Sequence, residues 1–190
     1  MIKKIPNILT IGRIIIVPFF VLAFYLPGFY GDLTACVLFV IASFTDFLDG
    51  MLARMMGEES KLGELLDPIA DKIMVATALI LLVMDGTIKH YEVIAAIIIL
   101  TREILISGLR EFLAIGQIKL PVSNLAKLKT FLQMISISLL LTGATGNKIL
   151  NFQDYNAQTI GIILLWLSAF LTLFTGYEYL RKGIDHAMSE

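Results

Sequence analysis

Four aspartates in two neighbouring apolar stretches are the residues of this sequence best suited to chemistry. Asp46 and Asp49 stand three residues apart and Asp67 and Asp71 four apart, and either spacing puts a pair on one side of an α-helix. On the same faces lie Gly50, Ala53 and Gly63, which leave room for a bulky group to approach the backbone. Arg54 beside them offers a cation to a phosphate. Four carboxylates sharing a cavity would repel one another and take up protons unless a multivalent cation shared their charge. No histidine or cysteine accompanies them, so the ligand set is oxygen only, which selects magnesium, manganese or calcium. Magnesium keeps positions open for water and substrate phosphates, so this pattern points to phosphate chemistry.

The runs around these aspartates read as membrane spans. Of 190 residues, 57% are hydrophobic and only 16% charged, with a mean hydropathy of +0.84, well outside the range of soluble domains. A span takes about 20 mostly apolar residues, so the chain supplies roughly six or seven. Each charge deep in a span costs roughly 2.5–3.5 kcal/mol, so four cost on the order of 10 kcal/mol, and bound cations must offset that. Acid-lined pathways in transporters are the alternative reading, but the paired, interrupted helices of many transporters are not visible.

Apolar periodicity predicts six helices, near 7–26, 33–55, 62–84, 90–114, 125–145 and 158–180, with a polar loop from Gly143 to Gln158. The expected fold is therefore all-α: a polytopic membrane protein of six transmembrane helices forming one domain over residues 1–190. Lys3, Lys4, Arg13, Arg54, Lys61, Arg110, Lys119, Lys127, Lys129, Arg181 and Lys182 fall on one side if the N-terminus is cytoplasmic, and Lys89 and Lys148 on the other. Both termini are then cytoplasmic. Antiparallel packing of the second and third spans brings both acidic faces to a cavity open to the cytoplasm. The first run lacks a small-residue cleavage pattern and contains Pro18, so it reads as a span rather than a cleaved leader. Cys36 has no partner for a disulfide, and a net charge of -1 argues against nucleic-acid binding. His90 and His186 lie away from the acidic faces, and Trp166, Tyr177 and Tyr179 read as packing or interface residues.

Written as a string, residues 46–71 are Asp46-x-x-Asp49-Gly50-x-x-Ala53-Arg54, eight residues, then Gly63-x-x-x-Asp67-x-x-x-Asp71. This resembles the signature of the CDP-alcohol phosphatidyltransferase family at all eight fixed positions. The resemblance implies displacement of CMP from a CDP-linked lipid by an alcohol, with two magnesium or manganese ions. It implies Asp46, Asp49, Asp67 and Asp71 as metal ligands, with Asp71 also the catalytic base. Gly50, Ala53, Arg54 and Gly63 would bind the CDP moiety. A homodimer in a bacterial cytoplasmic membrane, with its active site facing the cytoplasm, is implied in the same way.

Within that family the chain is most similar to the bacterial phosphatidylglycerophosphate synthases. The similarity lies in Pro6-Asn7-Ile8-Leu9-Thr10-Ile11-Gly12-Arg13, in Thr101-Arg102-Glu103-Ile104 through Leu109-Arg110-Glu111, and in Lys127-Leu128-Lys129-Thr130 with Gln133-Met134. It implies CDP-diacylglycerol as donor and glycerol 3-phosphate as acceptor, with Thr10, Arg13, Arg110 and Lys127 near the acceptor phosphate. A plain topological role for these cations is the alternative. Arg102 lies deeper, and Glu103 or the neighbourhood of Asp71 is its expected partner; Lys72 is an expected counter-charge to Asp71. Other acceptors, such as phosphatidylglycerol or an inositol phosphate, remain open. A metal-dependent prenyltransferase would share the acidic helices but not the fixed glycine and alanine-arginine positions.

Overall fold

The computed structural model describes the backbone of residues 5–56, 61–115, 123–149 and 156–187, and the side chains of these except 5–9, 46–56, 61–65, 67–68, 114–115, 178 and 182–187. Six long helices run α1 (Ile5–Phe24), α2 (Phe29–Met56), α3 (Lys61–Met84), α4 (Glu92–Ile115), α5 (Asn124–Leu141) and α7 (Ala157–Ala187), with a short α6 (Gly143–Ile149) before the last. No strand occurs among the described residues. Each long helix overlaps an expected segment, because runs of leucine, isoleucine and alanine both favour helix and satisfy every backbone group within it.

Polar residues mark several boundaries. Ser123, in extended conformation, accepts the Ala126 amide on its hydroxyl at 3.2 Å and starts α5. Asn156 does the same for α7, its side-chain oxygen accepting from the Thr159 amide at 2.9 Å. Before α4, the Glu92 carboxylate reaches back to the Lys89 amide at 3.2 Å.

The expected loop from Gly143 to Gln158 contains α6, a correction with a tertiary cause. Gly143 takes a left-handed φ of 52°, and α5 and α6 meet at 96°. A Cβ at Gly143 would stand 3.0 Å from an oxygen of the Asp32 carboxylate. That carboxylate accepts the Thr145 amide at 3.2 Å. A helix of Gly-Ala-Thr-Gly-Asn-Lys-Ile, weak in propensity, is thus held from outside by a residue of α2.

Packing turns the usual soluble pattern inside out. Every long helix shows large apolar side chains outward, among them Ile15 and Leu22 on α1, Phe44 on α2, Ile80 on α3, Phe112 on α4, Phe131 on α5 and Phe170 on α7. Leu22 is 65% exposed, whereas Arg13 and Lys129 are each 2% exposed. Water would punish that arrangement and lipid would not. Small residues fill the interior contacts, including Ala23, Ala35, Ala42, Ala78, Ala95, Ala96 and Ala169, as expected where dispersion packing must join helices.

Among the described residues, only α7 over Ala157–Arg181 is by itself long and apolar enough to cross a bilayer, while α5 and α6 pass only as a bent pair. Thr10–Phe24 and Phe29–Thr45 are shorter apolar stretches. Charge explains why α3 and α4 fall short: Asp67, Asp71 and Lys72 interrupt one, and Arg102, Glu103 and Arg110 the other.

Helix α1 lies against α2 and α3, and α7 against α5 and α4; contacts of α2 with α5 and of α3 with α4 and α5 join the two groups. The ends of α1 and α3 meet through Tyr25 and Met84, the start of α7 meets the α3–α4 turn through Gln158 and Thr87, and the start of α2 meets the residues after α5 through Asp32 and Thr145, so successive long helices alternate in direction. The start of α1, α3 and α5 therefore shares one end of the bundle with the finish of α2, α4 and α7, and the buried charge is at that end.

Candidate active site

Helices α3, α4 and α5 enclose a cavity of about 240 Å³. Its polar wall comes from Asp71 and Lys72 on α3, Glu103 on α4, and Thr130 and Gln133 on α5; Val75, Leu100, Ile104 and Met134 are among its apolar lining. Three separate segments of the sequence thus meet at one hollow, with Gln133 buried, Asp71, Lys72 and Glu103 half-buried and Thr130 at its exposed edge.

That stripe is clearest on α5, where Ala126, Lys129, Gln133, Ser136, Ile137 and Leu140 are buried at three- and four-residue steps. Lys129 belongs to it, and its ammonium pairs with the Glu103 carboxylate. Arg102 flanks the same carboxylate with its Nη1 at 3.7 Å. Its Nη2 donates to the Thr175 hydroxyl at 3.4 Å, and its guanidinium lies 5.9 Å from the centre of the Tyr179 ring. Gly176 allows this fit, since a Cβ there would stand 3.1 Å from Arg102 Cγ. Glu103 is therefore a carboxylate held between two cations at the cavity wall, with α7 backing one of them. The expected partnership of Arg102 with Glu103 is present.

Not every polar group on the wall is engaged. The Thr130 hydroxyl donates to the Ala126 carbonyl at 3.1 Å. Gln133 is 2% exposed, and its Oε1 is buried with no hydrogen-bond partner.

Placement of the other expected site residues divides them. Asp71 lines the cavity and is half-buried. Thr10 and Arg13, one turn apart on α1, are both buried. Arg110 and Lys127 are exposed. Asp46, Asp49, Gly50, Ala53 and Arg54 lie on helical backbone of α2, and Gly63 and Asp67 on that of α3. The side chains of these seven lie outside the described residues.

The donor set nevertheless suits a hard divalent ion. Both acidic pairs are on regular helix, so the spacing that puts each pair on one face holds, and α2 packs against α3. Oxygen-only ligation matches magnesium or manganese. Among the described residues no group of three or more potential ligands gathers elsewhere.

Glu103, Lys129 and Gln133 were not among the site residues expected from spacing. A signal for the last two was available: Lys129 and Gln133 continue the three-and-four rhythm through Ser136, Ile137 and Leu140, and Lys127 falls off it.

The family model described as CDP-alcohol phosphatidyltransferase matches residues 3–174. A relative from Rickettsia felis is 43% identical over 179 residues, covering 94% of each chain. One from Rickettsia prowazekii is 44% identical, again over 94% of each chain. One from Yersinia enterocolitica is 40% identical over 95% of this chain and 94% of its own. All three carry the name CDP-diacylglycerol–glycerol-3-phosphate 3-phosphatidyltransferase.

Proposed function

The chain belongs to the CDP-alcohol phosphatidyltransferase family, and from that premise we propose that it transfers the phosphatidyl group of CDP-diacylglycerol to sn-glycerol 3-phosphate, releasing CMP. The observation that carries this reading is the near full-length identity, 40% to the Yersinia enterocolitica relative and 44% to that of Rickettsia prowazekii, with proteins named for this reaction. The cavity supports it, since it joins the Asp71 carboxylate, able to accept a proton, to the Lys72 ammonium on the same wall, suited to an anionic acceptor.

In the proposed reaction, the Asp71 carboxylate takes the proton of the acceptor's terminal hydroxyl. The hydroxyl oxygen forms a bond to the lipid-side phosphorus. The bond from that phosphorus to the bridging oxygen breaks, and CMP departs with the electron pair. Two magnesium or manganese ions held by Asp46, Asp49, Asp67 and Asp71 would supply charge neutralisation along the diphosphate and the leaving phosphate. Gly50, Ala53 and Gly63 give the CDP moiety close approach to the helix backbones, and Arg54 pairs with its phosphates. The acceptor phosphate is assigned to Thr10, Arg13, Arg110 and Lys127, with Lys129 added because of its burial beside the cavity.

The same proposal makes residues 1–190 one domain of six spans in a bacterial cytoplasmic membrane, both termini and the active site cytoplasmic, and the functional unit a homodimer. The outward apolar faces on every long helix support the spans.

The test is CMP release by purified protein given magnesium and CDP-diacylglycerol, with and without glycerol 3-phosphate. Release that requires glycerol 3-phosphate is expected. Release only with phosphatidylglycerol or an inositol phosphate would reassign the acceptor, and no release with any would reject the reading.

A further inference from the structure

We propose that the Gln133 carboxamide recognises the non-reacting middle hydroxyl of the acceptor, which makes the site selective for a phosphorylated vicinal diol. The inference rests on the acceptor reading above and adds a specificity residue to it.

Gln133 occupies a core position of α5, 2% exposed, between Lys129 one turn before it and Ile137 one turn after. It lines the same cavity as Asp71. Its Oε1 is buried and has no hydrogen-bond partner. A buried amide oxygen without a donor costs folding free energy, so the group is poorly explained by packing and well explained by a ligand that brings the donor.

The chemistry of that donor is restricted. Phosphate and carboxylate only accept, so neither can satisfy Oε1; a hydroxyl can donate to it and can also accept from the amide nitrogen. The acceptor carries two hydroxyls. The reacting one must surrender its proton to the Asp71 carboxylate, which leaves the middle hydroxyl for Gln133. Two neighbouring wall groups are already engaged: the Thr130 hydroxyl donates to Ala126 at 3.1 Å, and Glu103 is held by Lys129 and Arg102.

The experiment compares kcat/KM for glycerol 3-phosphate and for 3-hydroxypropyl phosphate, using the full chain with magnesium and CDP-diacylglycerol. The second acceptor keeps the attacking hydroxyl and the phosphate and lacks only the middle hydroxyl. A site whose buried polar group is left unpaired by an analogue rejects that analogue strongly, so the wild type should favour glycerol 3-phosphate by about 100-fold or more. Gln133→Met should cut use of glycerol 3-phosphate by about 100-fold while leaving 3-hydroxypropyl phosphate within about threefold of wild type, which collapses the ratio. Gln133→Asn, which retains an amide on a shorter stem, should fall between the two.

Equal use of both acceptors by the wild type would overturn the inference without any variant. Equal loss on both acceptors in Gln133→Met would also overturn it, since a packing defect lowers both and leaves their ratio alone. Absence of CMP release by the wild type with either acceptor would instead bring down the acceptor reading, and this inference with it.

Discussion

Charge at the single-residue scale is arranged in two different ways around the cavity. Asp71 faces it from α3, where a carboxylate can take a proton and still ligate a cation. Asp71→Asn should therefore keep much of the binding of CDP-diacylglycerol and lose turnover by about 100-fold or more, the scale on which a general base contributes. Equilibrium donor binding measured beside CMP release checks this, and equal loss of both would remove the base role. Glu103 is spoken for by Lys129 and Arg102. Replacing it alone, as Glu103→Leu, leaves two buried cations facing each other and should destabilise the fold by about 3 kcal/mol. Adding Lys129→Met should recover part of that loss in thermal unfolding in detergent, because a buried pair removed together costs less than one partner removed. Which lysine of Lys127 and Lys129 turns inward was legible in the burial rhythm of α5; that Glu103 would be its partner was not, since they are 26 residues apart in the chain.

Close helix approach at the level of elements decides how the cavity is framed. Along α5 and α7 the Ser136 hydroxyl donates to the Gly161 carbonyl at 2.7 Å, and a Cβ at Gly161 would stand 2.8 Å from Leu140 Cδ2. Leu140 is buried and has little room to move. Gly161→Val should cost about 1–3 kcal/mol through overpacking. For a chain of this size that corresponds to roughly 2–4 °C of midpoint per kcal/mol. A thermal-shift measurement in detergent checks it, and an unchanged midpoint would mean that α5 and α7 are not so closely joined. Helix positions were readable from periodicity, with α6 the exception: its sequence favours no helix, and the Asp32 carboxylate that holds it lies 113 residues away.

A consistent inside-out pattern emerges over the whole molecule: the buried cations Arg13 and Lys129 gather at one end, while large apolar side chains cover the flanks. The α3–α4 turn, with exposed Lys89, lies at the opposite end from the charged cavity. In cells whose chain carries Cys36→Ala, Lys89→Cys should react with a membrane-impermeant maleimide added outside. Ser189→Cys should react only after the membrane is permeabilised. Labelling of both from outside would reject cytoplasmic termini, and labelling of Ser189→Cys alone would invert the topology.

Composition and periodicity alone determined the helical class and the approximate place of each long helix, because these depend on local runs of residues, and the motif of residues 46–71 carried the resemblance to the family, because its spacing is fixed within two adjoining helices. Tertiary structure decided that Glu103 is clamped by Lys129 and Arg102, that Gln133, whose buried Oε1 has no hydrogen-bond partner, lines the same cavity as Asp71, and that α5 turns sharply into α6. Each of these depends on which helices become neighbours, and packing between distant segments carries no fixed spacing along the chain.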